Sequence, residues 1–161
     1  MLVNNAGIEP RRADGGFVDP ARTTADDVRS VFETNVFGTV RVLHAFLPLL
    51  LRLASPVVVN VSSGLSATAA LADPAAPEHF CPDLAHPASK AALNMLTVQY
   101  AKAFGGLRVN AVDPGFTATD LNHRTGTQAV EQGAGVIVRM ALIEADGPTG
   151  TFHSAAGPLP W

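Results

Sequence analysis

The amino-acid sequence predicts an α/β fold built on a parallel sheet, and three observations predict it. Short, apolar and largely β-branched runs occur at Met1 to Val3, in "SPVVVNVSS" and in "LRVNAVDPG". Longer segments between them carry apolar residues at helical spacing. Gly, Pro, Asn and Asp cluster where one kind of segment gives way to the other. Strands that alternate with helices pair in parallel through right-handed crossovers.

Each element follows in order. Met1 to Val3 form a short strand that runs into the turn-rich "NNAG". After a loop holding Gly15, Gly16 and Pro20, Thr23 or Thr24 caps a helix with acids in its first turn, and Val28, Val31 and Phe32 face inward. The helical pattern continues through Val36, Val40, Leu43, Phe46, Leu47 and Leu50, with a bend expected at Pro48, which lacks an N–H. "SPVVVNVSS" has no charge and suits a strand covered on both faces. Residues 64 to 85 are rich in Ala and Pro without a period and predict a long loop. A helix is expected from Pro87 to about Phe104, ended by Gly105 and Gly106. "LRVNAVDPG" is a further strand and turn, Thr127 to Leu142 a further helix, and "GTFH" a last short strand.

Composition bounds the function. A chain of 161 residues with 47% apolar and 16% charged residues supports one core, so residues 1 to 161 are read as a single domain. Net charge is −3 and the basic residues are scattered, which excludes a nucleic-acid footprint. Cys81 is the sole cysteine, so no internal disulfide forms and a reducing, cytoplasmic address is expected. The start "MLVNNAGIEP" does not read as a signal peptide, and Val40 to Leu53 is short and carries Arg41, His44 and Arg52, so no membrane segment is expected. His79, Cys81 and Asp83 alternate like metal ligands but have no fourth partner, and no metal site is expected.

Five motifs in register carry a resemblance. "NNAG" at 4 to 7, "NVFGT" at 35 to 39, "VNVSSG" at 59 to 64, Lys90 in "HPASKAALN" and "VNAVDPGFTATD" at 109 to 120 resemble the short-chain dehydrogenase/reductase family in order and spacing. The ending "DGPTGTFHSAAGPLPW" resembles its carbonyl-reductase-like branch. The resemblance implies a truncated Rossmann-like sheet of about four parallel strands with flanking helices, the first βαβαβ half missing. Family members begin with a strand, a Gly-rich T-G-x-x-x-G-x-G turn and a helix, and the turn cradles the coenzyme diphosphate. No such turn occurs in these residues. Asn5, Ala6, Gly7, Pro114, Gly115 and Thr117 match positions lining the adenosine and nicotinamide ends of the coenzyme site, but are read as remnants, so no cofactor is expected.

A second departure lies in the catalytic group. Asn35, Ser63 and Lys90 match three members of the family's tetrad, whereas His86 stands where the family has its acid/base tyrosine, four residues before the lysine. His86 precedes Pro87 and should therefore sit extended at the helix entrance, with Pro87 at the first helical position. A nearby Lys90 ammonium keeps a histidine neutral near pH 7. A neutral imidazole poorly replaces a phenol that must protonate an alkoxide. It also reaches roughly 2 Å less far, and roughly 1 Å of misplacement costs on the order of 100-fold in rate. Plain structural roles compete with the catalytic ones: His86 as a capping residue, Ser63 as an ordinary strand-end serine beside Ser62, Lys90 along a helix, and Asn35 satisfying backbone groups at a kink.

Three functions are compatible with this pattern. The favoured one is cofactor-independent acid/base catalysis of dehydratase, isomerase or cyclase type on an oxygenated small molecule, in which His86 takes a proton and Ser63 and Lys90 stabilise an oxyanion or enolate. The second is an NAD(P)-dependent carbonyl or alcohol oxidoreductase completed by a missing segment or partner. The third is a noncatalytic remnant that binds a partner or metabolite. The first strand, as a sheet edge, needs cover. A homo-oligomer is therefore expected, through that strand or through helices 24–53 and 87–104.

Overall fold

The computed structural model describes all 161 residues. Its element order begins with β1 (Leu2–Asn4), α1 (Ala25–Phe32), α2 (Thr39–Leu50), β2 (Val57–Val61) and α3 (Thr68–Ala72). It continues with α4 (Ala85–Ala103), β3 (Arg108–Val112), α5 (Val130–Ala141), β4 (Phe152–Ser154) and β5 (Gly157–Leu159). The strands form one sheet in the order β1-β2-β3-β4-β5. The first four run parallel, and β5 returns antiparallel to β4. No helix is long and apolar enough to cross a membrane.

Two apolar layers sandwich the sheet. Val57, Val59 and Val61 point to one face and pack with Val112 against Val136 and Met140 of α5. Val58 and Val109 point to the other and pack against Leu43 and Leu50 of α2 and Ala101 of α4. Burial on both faces explains why β2 and β3 read as near-continuous apolar runs. Asn60 interrupts β2 at a fully buried position and is satisfied there. Its Oδ1 accepts from Asn4 Nδ2 at 2.8 Å, and its Nδ2 donates to Thr97 Oγ1 at 2.8 Å, tying β1, β2 and α4 together.

Helix α1 starts where the cap residues put it. Thr24 Oγ1 accepts from the Asp27 N–H, and the Asp27 carboxylate accepts from the Thr24 N–H at 2.8 Å, a reciprocal capping box. Pro48, where a bend was expected, lies inside α2 and does not end it. Both Pro48 and His44, whose carbonyl loses its helical partner, are exposed, so water can take that bond. The irregularity lies earlier, in a π-helical turn over Glu33–Gly38.

Two further expectations are corrected, and one is met. The four parallel strands are those expected, with a short antiparallel edge strand β5, which carries Pro158, beside them. The loop of residues 64 to 85 contains turns at Gly64–Ser66 and Pro77–Phe80 around α3. Helix α4 begins at Ala85, so His86 and Pro87 both lie in its first turn. The first N–H groups of a helix have no intrahelical partner, and a proline there costs none.

Candidate active site

The cleft at the C-terminal ends of β1, β2 and β3 has a volume of about 1030 Å³ and is lined by Ser63, His86 and Lys90 among others. Its position is the one at which open parallel sheets bind ligands. Asn5, Gly7, Pro114, Gly115 and Thr117 also line it, whereas Ala6 does not.

Asn35 organises one wall without facing the cleft. The π turn directs its side chain inward, where it is 1% exposed. Its Oδ1 accepts from the Ile8 N–H at 2.8 Å, and its Nδ2 donates to the Ile8 carbonyl at 3.0 Å and to Ser89 Oγ at 2.9 Å. Ser89 Oγ in turn donates to the His86 carbonyl at 2.7 Å. Asn35 thus clamps the backbone after β1 to the first turn of α4. Sequence reasoning passed over Ser89, although its place three residues after His86 puts both on one helix face.

The His86 ring is 6% exposed, and its Nδ1 lies 3.3 Å from the same Ile8 carbonyl. Burial first, and the Lys90 ammonium second, push its pKa from the ordinary 6.5 down to about 4; the Ile8 bond and Asp83 act the other way. Lys90 is 4% exposed and donates from Nζ to the Val61 carbonyl at 2.7 Å. Burial lowers its pKa to about 8, and the Glu9 charge opposes this. Gly7 lies beside both groups, and a Cβ there would make ordinary contacts at 3.4 Å with Lys90 Nζ and 3.5 Å with Asn35 Oδ1.

Ser63 stands at the mouth of the turn after β2. Its Oγ accepts from the Leu65 N–H at 3.2 Å, and its hydroxyl hydrogen has no protein acceptor, so a donor is free for a ligand in the cleft. Ser62 also lines the cleft, but its Oγ donates to the Lys90 carbonyl at 3.5 Å. Across the cleft, Thr117 is occupied with Gln128 at 2.9 Å, and Asp113 caps the Pro-Gly turn through the Gly115 N–H at 2.9 Å. Gly115 has φ +75, a left-handed conformation that suits glycine.

Sequence reasoning also missed a buried ion pair. Arg11 and Glu9, each with a side chain 6% exposed, meet at 2.8 Å, and the guanidinium lies 3.8 Å above the Phe17 ring. Nothing in the spacing of Glu9, Arg11 and Phe17 signals that the loop folds back on itself at the cleft edge.

The His86 shift has a consequence for stability. A base whose folded-state pKa is depressed is stabilised by folding only while it is neutral. The contribution is complete above 6.5 and is lost as pH falls toward about 4. Urea titrations at pH 7 and pH 4 should therefore differ by about 3 kcal/mol from this group. A His86→Gln variant should lose that part of the acid sensitivity. Equal acid sensitivity in variant and parent would contradict it.

The comparisons with known proteins agree with this fold. The short chain dehydrogenase family model matches residues 1–130. The chain belongs to the short-chain dehydrogenase/reductase family. It is 32% identical to a (+)-neomenthol dehydrogenase of Arabidopsis thaliana, over 96% of this chain and 68% of that protein. Among solved structures, the salutaridine reductase of Papaver somniferum superposes with a TM-score of 0.76 at 26% identity, covering 94% of this chain and 71% of the other. An NADPH-bound carbonyl reductase from chicken fatty liver superposes with a TM-score of 0.78 at 25% identity, covering 99% and 65%. The chain spans about two thirds of the length of these proteins and about half that of other relatives.

These findings correct two expectations. Cofactor-independent dehydratase, isomerase or cyclase chemistry is overturned, because the relatives are dehydrogenases and reductases. The expectation of no cofactor is overturned with it, since a structure of the same fold holds NADPH. That expectation rested on a phosphate-binding turn missing from these residues. The residues that match the family's nicotinamide-end positions do line the cleft: Asn5, Gly7, Pro114, Gly115 and Thr117 lie along it together with Lys90 and Ser63.

Proposed function

We propose that this chain is an NAD(P)-dependent oxidoreductase interconverting a carbonyl and an alcohol on an oxygenated small molecule. The observation that carries the reading is the gathering of Ser63, His86 and Lys90 around the same cleft as Asn5, Gly7, Pro114 and Gly115. When bound, the nicotinamide supplies the hydride acceptor or donor. Asn5, Gly7, Pro114 and Gly115 would hold its ring end, and Lys90 would supply a nearby positive charge.

The protein's own groups do the rest. The free Ser63 hydroxyl hydrogen bonds the substrate oxygen and fixes its position. His86 exchanges a proton with that oxygen. Phe17, Phe80, Phe116, Leu121 and Ile137 supply apolar walls, which suits a medium-sized organic molecule with an apolar body. Exposed Phe37, Phe46, Leu49 and Met95 on the two long helical segments support a homo-oligomer. A monodisperse monomer in sedimentation would contradict that part.

The test is coenzyme binding. NADPH and NADH titrated by fluorescence should give saturable binding for at least one of the two, with loss of reduced-nicotinamide absorbance when ketones are added. No saturation with either would overturn the reading.

A further inference from the structure

We infer that the Ile8 carbonyl locks His86 as the Nδ1–H tautomer, so that Nε2 faces the cleft as a bare acceptor and the site is built as a base for alcohol oxidation. This rests on the oxidoreductase reading above. It goes beyond it by assigning the proton-carrying atom and the direction that atom favours.

The geometry leaves one arrangement for a neutral ring. A carbonyl oxygen only accepts hydrogen bonds. The ring nitrogen 3.3 Å from the Ile8 carbonyl must therefore carry hydrogen, because an unprotonated Nδ1 would set two lone pairs against each other. That carbonyl cannot turn away. Asn35 holds the Ile8 peptide from both sides, taking its N–H at 2.8 Å and donating to its oxygen at 3.0 Å. Ser89 fixes the far side of the histidine by donating to its carbonyl. Nε2 has no protein partner, and it is not among the buried polar atoms left unsatisfied, so it opens to the cleft that His86 lines.

A bare Nε2 accepts protons and has none to give. In oxidation, the O–H bond of a secondary alcohol breaks and its proton forms an N–H bond at Nε2. The carbinol hydrogen leaves with its electron pair as hydride to the oxidised nicotinamide. The carbinol carbon is oxidised by two electrons to a carbonyl, the nicotinamide is reduced by two, and the imidazolium returns its proton to water. Carbonyl reduction runs the same bonds backward and needs an imidazolium before it can start.

The surroundings keep the resting ring neutral and make the imidazolium formed during oxidation a strong acid that passes its proton on to water. On the same helix Lys90 repels the cation, and from the loop after β1 Arg11 repels it, although Arg11 is paired with Glu9. The segment before α4 contributes Asp83, which favours the cation but is itself half-buried and pushed toward its neutral form. Cys81 there is held as the neutral thiol by burial. Asp27 of α1 faces the small pocket that Asp83 and Ala85 line.

Nitrogen-detected spectra of protein labelled with ¹⁵N-histidine read the tautomer directly. The five histidines separate by comparison with His86→Gln. At pH 7 the His86 spectrum should show hydrogen on Nδ1 and a bare Nε2. Hydrogen on Nε2, or a cation, would overturn the inference. In turnover, oxidative kcat/KM should stay flat from pH 5 to 7, while reductive kcat/KM falls about tenfold per pH unit. A flat reductive profile would also overturn it. The spectrum needs no coenzyme, so a wrong tautomer defeats the inference even in an active enzyme. Lack of any nicotinamide turnover defeats the reading beneath it.

Discussion

Substituting phenylalanine for His86 should lower oxidative kcat/KM by about 100- to 10,000-fold at pH 7, the range for removing a positioned acid/base group. A planar ring is kept, though phenyl is somewhat larger than imidazole, so the neighbours of a position only 6% exposed must shift slightly. The hydrogen bond to Ile8 is lost, but that carbonyl still accepts from Asn35 at 3.0 Å, which limits the stability cost to about 1 kcal/mol. Coenzyme binding should therefore persist while turnover falls. Steady-state kinetics beside a coenzyme titration separate the two effects. Turnover within about threefold of the parent would remove His86 from the proton path.

The second large effect is structural. Asn35→Leu keeps the branched shape of the buried side chain, with some added volume, but removes all three of its hydrogen bonds, to the Ile8 N–H, the Ile8 carbonyl and Ser89 Oγ. The Ile8 carbonyl retains His86, and Ser89 retains the His86 carbonyl. The Ile8 N–H is left without a partner. One part-buried donor without its protein partner and two weakened groups cost about 2 kcal/mol together. That is about 4 to 8 °C in Tm for a chain of this size. Urea and thermal unfolding measure it. The variant should also lose the tautomer lock, because the carbonyl that orients His86 is no longer held. A change below about 0.5 kcal/mol would mean that the clamp does not carry the wall of the cleft.

Most of the sheet was legible because burial on both faces writes itself as apolar, β-branched runs, as in Val57–Val61 and Arg108–Val112. The capping box of Thr24 and Asp27 was legible because it is local. The π turn at Glu33–Gly38 was not, because nothing within six residues demands it. The turn sets Asn35 against the distant Ile8 backbone, a contact that no local pattern announces. His86 was placed outside the helix on the rule that a residue before proline avoids helical geometry. The ties of its carbonyl to Ser89 and of its ring to Ile8 outweigh that preference. Ile8 lies 78 residues away in sequence, so no spacing rule reveals that partner.

The candidate residues Asn35, Ser63, His86 and Lys90 were all identified from motif position, but only the structure separates their parts. Asn35 holds backbone, Lys90 donates to Val61, and Ser63 and His86 each keep one atom free for a ligand. The reaction class was misread because the histidine and the missing turn were both taken as losses of redox chemistry. Under the proposed reading, the groups needed at the nicotinamide end would be Ser63, His86 and Lys90, all of which line the cleft, and a neutral imidazole in place of a phenol would change which direction has its proton ready.

The most direct test follows a single hydrogen. A secondary alcohol deuterated at its carbinol carbon is incubated with the protein and oxidised NAD(P), and the recovered reduced nicotinamide is examined by mass spectrometry. Deuterium on the nicotinamide ring is the outcome expected here. Conversion of the alcohol with its deuterium released to water, or conversion that proceeds without any nicotinamide, would contradict the account.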